Sequence, residues 1–194
     1  IIAIDFGTSY SGYCFALASA TDQIRQVYWG QEQGLNTPKT PTCILFNQNK
    51  EFKKFGYDAV MKYKSLSSSE TDKWYFFQNF KMHLYNTVGG KKVTSSMELK
   101  ASNGKTLPAL TVFAESLRYL KEHALNTIQE ASFQTVSDQE EITWVITVPA
   151  IWTAPARQFM RLAAKEAGII SDMISEKLII ALEPEAASFW CKRL

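Results

Sequence analysis

The chain has 194 residues, 46% hydrophobic and 21% charged, with a formal net charge of +2. That composition supports a packed globular core in one domain or two small halves, and it lacks the positive excess that marks a nucleic-acid binder. No apolar run reaches membrane-spanning length, and two histidines, His83 and His123, are too few for a His-based metal cluster. The three cysteines Cys14, Cys43 and Cys191 show no zinc or disulfide spacing; buried reduced thiols in a cytoplasmic protein are the expectation.

Ile1–Asp5, Ser11–Ala18 and Ile24–Trp29 read as three consecutive strands of a mixed sheet. The first turn, Asp5-Phe6-Gly7-Thr8-Ser9-Tyr10, is the most informative stretch. An apolar strand ends in a carboxylate, a glycine turn follows, and two hydroxyls lead into the return strand. Gly7 lets main-chain N–H groups crowd against phosphate oxygens. Thr8 and Ser9 add short donors, and Asp5 is a hard oxygen ligand suited to Mg²⁺ or one of its waters. The rival reading is an ordinary hairpin with Asp5 as a turn residue.

The turn-rich Gly34–Pro41 reads as a loop and subdomain boundary. Thr42–Phe46 and Phe52–Phe55 flank a hairpin turn at Asn47–Lys50, Tyr57–Tyr63 suggests a short helix, and Ser65–Thr71 reads as a polar loop. The aromatic segment Trp74–Leu84 carries Lys81. Asn86–Leu107 is polar; its Asn103-Gly104 pair predicts a type I′ hairpin, within a mobile surface excursion that has no chemistry. From Pro108, Val112, Phe113, Leu117, Leu120, Ala124, Leu125 and Ile128 recur at helical spacing and predict a long core-facing helix. Gln134–Glu141 is a polar link. A strand over Thr143–Val148, a helix from Ala154 capped near Gly168, a strand over Leu178–Leu182 and a last helix with Pro184 in its first turn complete the pattern. Glu183, like Asp5, closes a buried strand. Two strand-end carboxylates suit a shared metal–water site, since open α/β sheets gather ligands at the carboxyl ends of their strands.

Three ordered segments resemble signatures of the heat shock protein 70 (DnaK-type) nucleotide-binding domain: Asp5–Tyr10, Val145-Ile146-Thr147-Val148-Pro149-Ala150, and Glu183-Pro184-Glu185-Ala186-Ala187. Asn79-Phe80-Lys81-Met82-His83-Leu84 is similar to the segment that carries the family's catalytic lysine. The wording around Ile151-Trp152, Ala156–Arg161 and Ala181–Glu185 looks like the divergent member-12 subfamily.

The resemblance implies an α/β, ribonuclease-H-like lobe of the actin and hexokinase kind. It puts residues 1–41 and 108–194 in one subdomain and 42–107 in an inserted smaller α+β subdomain. The chain opens inside a strand without Met and stops in a helix at Leu194, so the second lobe is expected to lie outside it. The implied ligands are ATP or ADP with Mg²⁺. In that reading Asp5 holds the metal through water, and Gly7, Thr8, Ser9 and Tyr10 bind phosphate oxygens. Lys81 orients the attacking water, Glu183 acts in the outer metal shell or on water, and Pro149 is the switch that reports nucleotide state to an attached domain. Partners would be nucleotide, with clients or co-chaperones engaging regions outside the chain, in a cytoplasmic stress-response chaperone.

Two departures bear on activity. The family's Asn-Glu-Pro-Thr reads Leu182-Glu183-Pro184-Glu185 here, and the turn after the switch proline reads Ile151-Trp152-Thr153-Ala154-Pro155. The alternatives are therefore a nucleotide-sensing module with little hydrolysis, or a sugar kinase of the same superfamily. The isolated lobe is expected to bind nucleotide weakly and to turn over little.

Overall fold

The computed structural model describes residues 1–17, 20–86, 96–132 and 142–191. Its largest sheet is built from β1 (Ile2–Phe6), β2 (Tyr10–Leu17), β3 (Ala20–Gln26), β10 (Trp144–Val148) and β11 (Leu178–Leu182) in the order β11-β10-β1-β2-β3, with the short β4 (Thr40–Pro41) also paired to β2. The first hairpin is antiparallel, whereas β1, β10 and β11 run parallel. Ile2, Ile4 and Phe6 alternate into the core from β1, and Trp144, Ile146 and Val148 do the same from β10. This period-2 burial leaves Ala3, Asp5, Val145 and Thr147 on the other face.

Two helices cover the buried face. α4 (Ala109–Ser132) presents Val112, Phe113, Leu117, Leu120, Ala124 and Ile128 as the expected stripe. α5 (Ala154–Glu166) packs on α4 through Phe159, Met160, Ala163 and Ala164; the Phe113 and Phe159 rings meet edge-on, 5.4 Å apart. α5 ends as its glycine predicts. Gly168 sits at φ 72°, its N–H bonds Lys165 O and the Ile169 N–H bonds Ala164 O, a Schellman motif one residue beyond the cap at Ala167. The last helix, α6 (Glu183–Cys191), follows β11 directly.

A second sheet of three antiparallel strands, β6-β5-β7, joins β5 (Cys43–Phe46), β6 (Phe52–Phe55) and β7 (Tyr75–Gln78). β5 is buried on both faces. Ile44 and Phe46 join the main core, while Cys43 and Leu45 pack with Ala59 and Phe76 beneath α1 (Gly56–Ser65). The hairpin at Asn47–Lys50 forms as expected, with Lys50 at φ 64° and the Asn47 carboxamide oxygen accepting from the Asn49 and Glu51 N–H groups.

Three expectations are corrected. Within Ser65–Thr71 lies α2 (Ser68–Thr71), started by a reciprocal Ser67–Glu70 capping box. Residues 96–108 are no surface excursion. β8 (Glu98–Lys100) and β9 (Thr106–Pro108) form a hairpin that buries Leu99, Ala101 and Leu107, and the Asn103 amide donates to Thr71 O and Trp74 O. Only Gly104 of the Asn103-Gly104 pair has positive φ, so the turn spans Ala101–Gly104 with a glycine bulge and is not type I′. Residues 87–95 of the polar segment and the Gln134–Glu141 link lie outside the described residues. α3 (Met82–Asn86) follows Lys81.

Candidate functional site

Because β1, β10 and β11 are parallel, their carboxyl ends share one edge of the sheet. Asp5 lies beside Thr147, and Thr147 beside Ala181, one position before Leu182 and two before Glu183. The Asp5 carboxylate accepts the Thr147 hydroxyl through Oδ1 at 3.1 Å and pairs through Oδ2 with Lys39 Nζ at 2.5 Å.

The loop after β1 is folded hard upon itself. A Cβ on Gly7 would lie 2.1 Å from Tyr10 O, so no other residue fits without moving the backbone. Thr42 fastens the loop from behind: its hydroxyl donates to Gly7 O (2.9 Å), it lies 2.8 Å from the Ser11 hydroxyl, and its N–H bonds Ser9 O. Thr42 and Ser11 are both buried. Thr8, Ser9 and Tyr10 face an open groove of about 480 Å³, whose other wall is Thr37, Pro38 and Lys39, with Tyr57 at its side. The Thr8 hydroxyl has Met82 Sδ as a distant neighbour at 3.9 Å.

Lys81 reaches this edge from the three-stranded sheet. β7 ends, Asn79 turns the chain at φ 53°, and Phe80 is wedged between Phe6 and Phe113. Asparagine tolerates that left-handed conformation better than most residues. With Phe80 fixed, Lys81 points inward and is only 2% exposed. Its ammonium donates to Phe6 O at 2.5 Å and to Glu183 Oε1 at 2.8 Å, and it lies 5.3 Å from the centroid of the Trp152 ring. A buried ammonium requires such partners, since an unpaired charge is expelled from an apolar interior. Trp152 is itself buried, and its N–H bonds Pro149 O.

Lys81, Glu183, Asp5 and the Gly7–Tyr10 loop are thus brought to one edge, and Pro149 adjoins it through Trp152. Lys39, Thr42, Thr147 and Trp152 had no place among the sequence-derived site residues. Thr147 was visible inside the second signature. Lys39 had no local signal. Among the described residues no three acid, His or Cys side chains converge. The donors that do meet at this edge, the Asp5 carboxylate and the hydroxyls of Thr8, Ser9 and Thr147, are hard oxygens, the donor type that suits Mg²⁺.

The chain matches curated relatives over its whole length: heat shock 70 kDa protein 12B of Homo sapiens at 44% identity and heat shock 70 kDa protein 12A of Mus musculus at 46%. It spans 28% of the length of each. No family model matches it. The similarity extends over the whole chain, and the chain belongs to the heat shock protein 70 family, in the divergent branch of the 12A and 12B proteins.

Proposed function

We propose that this chain is one lobe of a cytoplasmic, heat-shock-70-type ATPase. Residues 1–41 and 108–194 form its main unit, residues 42–107 form an inserted smaller one, and a second lobe outside this chain completes the nucleotide cleft. The observation that carries the reading is the convergence of a strand-end carboxylate, a glycine phosphate loop and a buried lysine on one sheet edge. Mg²⁺ entering with the nucleotide would offset phosphate charge, and Asp5 is placed to hold it through a water. Thr8, Ser9 and Tyr10 line the groove where phosphate oxygens would lie, and the N–H groups of the loop from Gly7 are the donors that would meet them.

Phosphoryl transfer depends mainly on positioning and electrostatics. Lys81 serves both. Phe6 O and Glu183 engage two of its three donors and fix its ammonium behind the loop, leaving one for a γ-phosphate oxygen or the attacking water. Trp152 connects that ammonium to Pro149, a route by which a change at the phosphates would reach an attached domain. In the full-length protein, Lys81→Ala should reduce steady-state phosphate release from Mg-ATP about a hundredfold, the effect of losing a preorganised donor, with much of the nucleotide affinity retained. Unchanged turnover would sink the role of Lys81.

The second reading is a nucleotide sensor with little hydrolysis. It is favoured by the Lys81–Glu183 pair, which engages Oε1 of the carboxylate with the lysine and leaves only the second oxygen to act on a water. ATP binding with no phosphate release in either protein would select it.

A further inference from the structure

Lys39 is the feature of this edge that the signatures leave unexplained. In the antiparallel ladder, Asp5 lies opposite Gly12. A Cβ at Gly12 would fall 2.9 Å from Pro38 O and 3.2 Å from Lys39 Cγ. The missing side chain therefore opens a slot across β2, and the Lys39 stem lies in it with its ammonium 2.5 Å from Asp5 Oδ2. The backbone on both sides is pinned: the Thr37 hydroxyl donates to Lys39 O, and Thr40 and Pro41 pair with Ser11 and Tyr10. The side chain is held by its contact with Asp5 but is not buried: Lys39 and Asp5 are each 43% exposed. The same residue forms part of the groove wall facing Thr8, Ser9 and Tyr10. One flexible cation is thus placed between the only strand-end carboxylate of the loop and the space across from the hydroxyls.

We propose that Lys39 is a resident counter-ion of the phosphate site. Without ligand it neutralises Asp5; with a nucleoside polyphosphate bound, its ammonium moves across the groove onto phosphate oxygens. It carries charge that a divalent cation would otherwise have to carry alone, so polyphosphate binding persists when the metal is removed. The proposal rests on the nucleotide reading above and adds to it a specific tolerance of metal loss. A lysine ammonium suits the task because it is a compact charge on a long, mobile stem.

The test is equilibrium binding of ATP to the full-length protein, by calorimetry, in Mg²⁺ and in excess EDTA. The wild type should lose less than about tenfold in affinity on metal removal. Lys39→Met should bind more weakly than the wild type in both buffers, by about threefold in Mg²⁺ and by a further tenfold or so in EDTA, where no divalent cation shares the phosphate charge, the scale of one charge-assisted contact. Lys39→Arg, which keeps the charge, should restore most of the EDTA affinity. A wild type that binds only with metal overturns the proposal without any variant, as does a Lys39→Met protein that follows the wild type in both buffers; the nucleotide site survives either result. A wild type that binds ATP in neither buffer overturns both readings.

Discussion

Two lysine–carboxylate pairs stand at the same sheet edge and differ chiefly in their surroundings. Lys81 is buried against Phe6 O and Trp152, and its partner Glu183 is 41% exposed. Lys39 and Asp5 are both half in water. The chemistry of the two contacts is the same, yet the local dielectric makes their roles opposite. A charge held in a poorly solvated pocket cannot leave its partners without a large penalty. A half-exposed pair is worth little and exchanges readily. The buried pair is a fixture and the exposed one is exchangeable.

The strongest way to break that comparison is to remove the partners of the buried cation. Glu183→Ala strands the Lys81 ammonium with one carbonyl and an aromatic face and should cost about 2 kcal/mol of stability, read as a lowered denaturant midpoint. Lys81→Met returns Glu183 to water and should cost roughly half as much. Equal losses would mean that burial does not separate the two partners. A smaller effect comes from a residue that touches neither pair. His123 stacks on Trp29 at 4.3 Å, and its Nδ1 lies 2.7 Å from the Tyr13 hydroxyl. Burial depresses its pKa below the ordinary 6.5. The unfolded chain takes up a proton near that pH which the folded chain refuses, so stability falls as pH drops below about 6.5. His123→Gln should flatten that fall, as thermal melts across pH 5 to 8 would reveal; a slope unchanged by the substitution would refute it. The smallest effect should be Lys39→Met, within about 0.5 kcal/mol of wild type. A loss comparable to that of Glu183→Ala would make the exposed pair a structural fixture after all.

Much of the architecture was legible because it rests on short-range regularities. The alternation Ile2, Ile4, Phe6 and the helical stripe from Val112 to Ile128 each predict their own burial. Lys81 was legible through its resemblance to the family's lysine segment, in which Phe80 and Leu84 also match, and both of those neighbours are buried. Other elements were readable but passed over: Ser67 and Glu70 have capping-box spacing, and the single αL requirement at Gly104 suits a bulged turn. Lys39 belongs to a different class. Nothing near it distinguishes it from the other lysines, and its meaning arises only when the β1–β2 register sets Gly12 opposite Asp5. Thr42 is similar, being a loop residue whose two hydroxyl contacts reach back more than thirty positions. Sequence periodicity reports which face is buried. It does not report which side chains converge after the chain has crossed over twice.

The site is assembled from contacts that are very distant along the chain: Lys81 and Glu183 are 102 positions apart, Asp5 and Thr147 142. Loop-closure entropy must be overcome before such contacts stabilise anything. During synthesis at about 5–20 residues per second, the first hairpin therefore waits on the order of ten seconds or more for β10 and β11 to emerge. Until then the open edge of β1, with its alternating Ile2, Ile4 and Phe6, has no parallel neighbour. The nascent chain is open to mispairing in that interval, and the pairing of Trp144–Thr147 along Ile2–Asp5 marks its close.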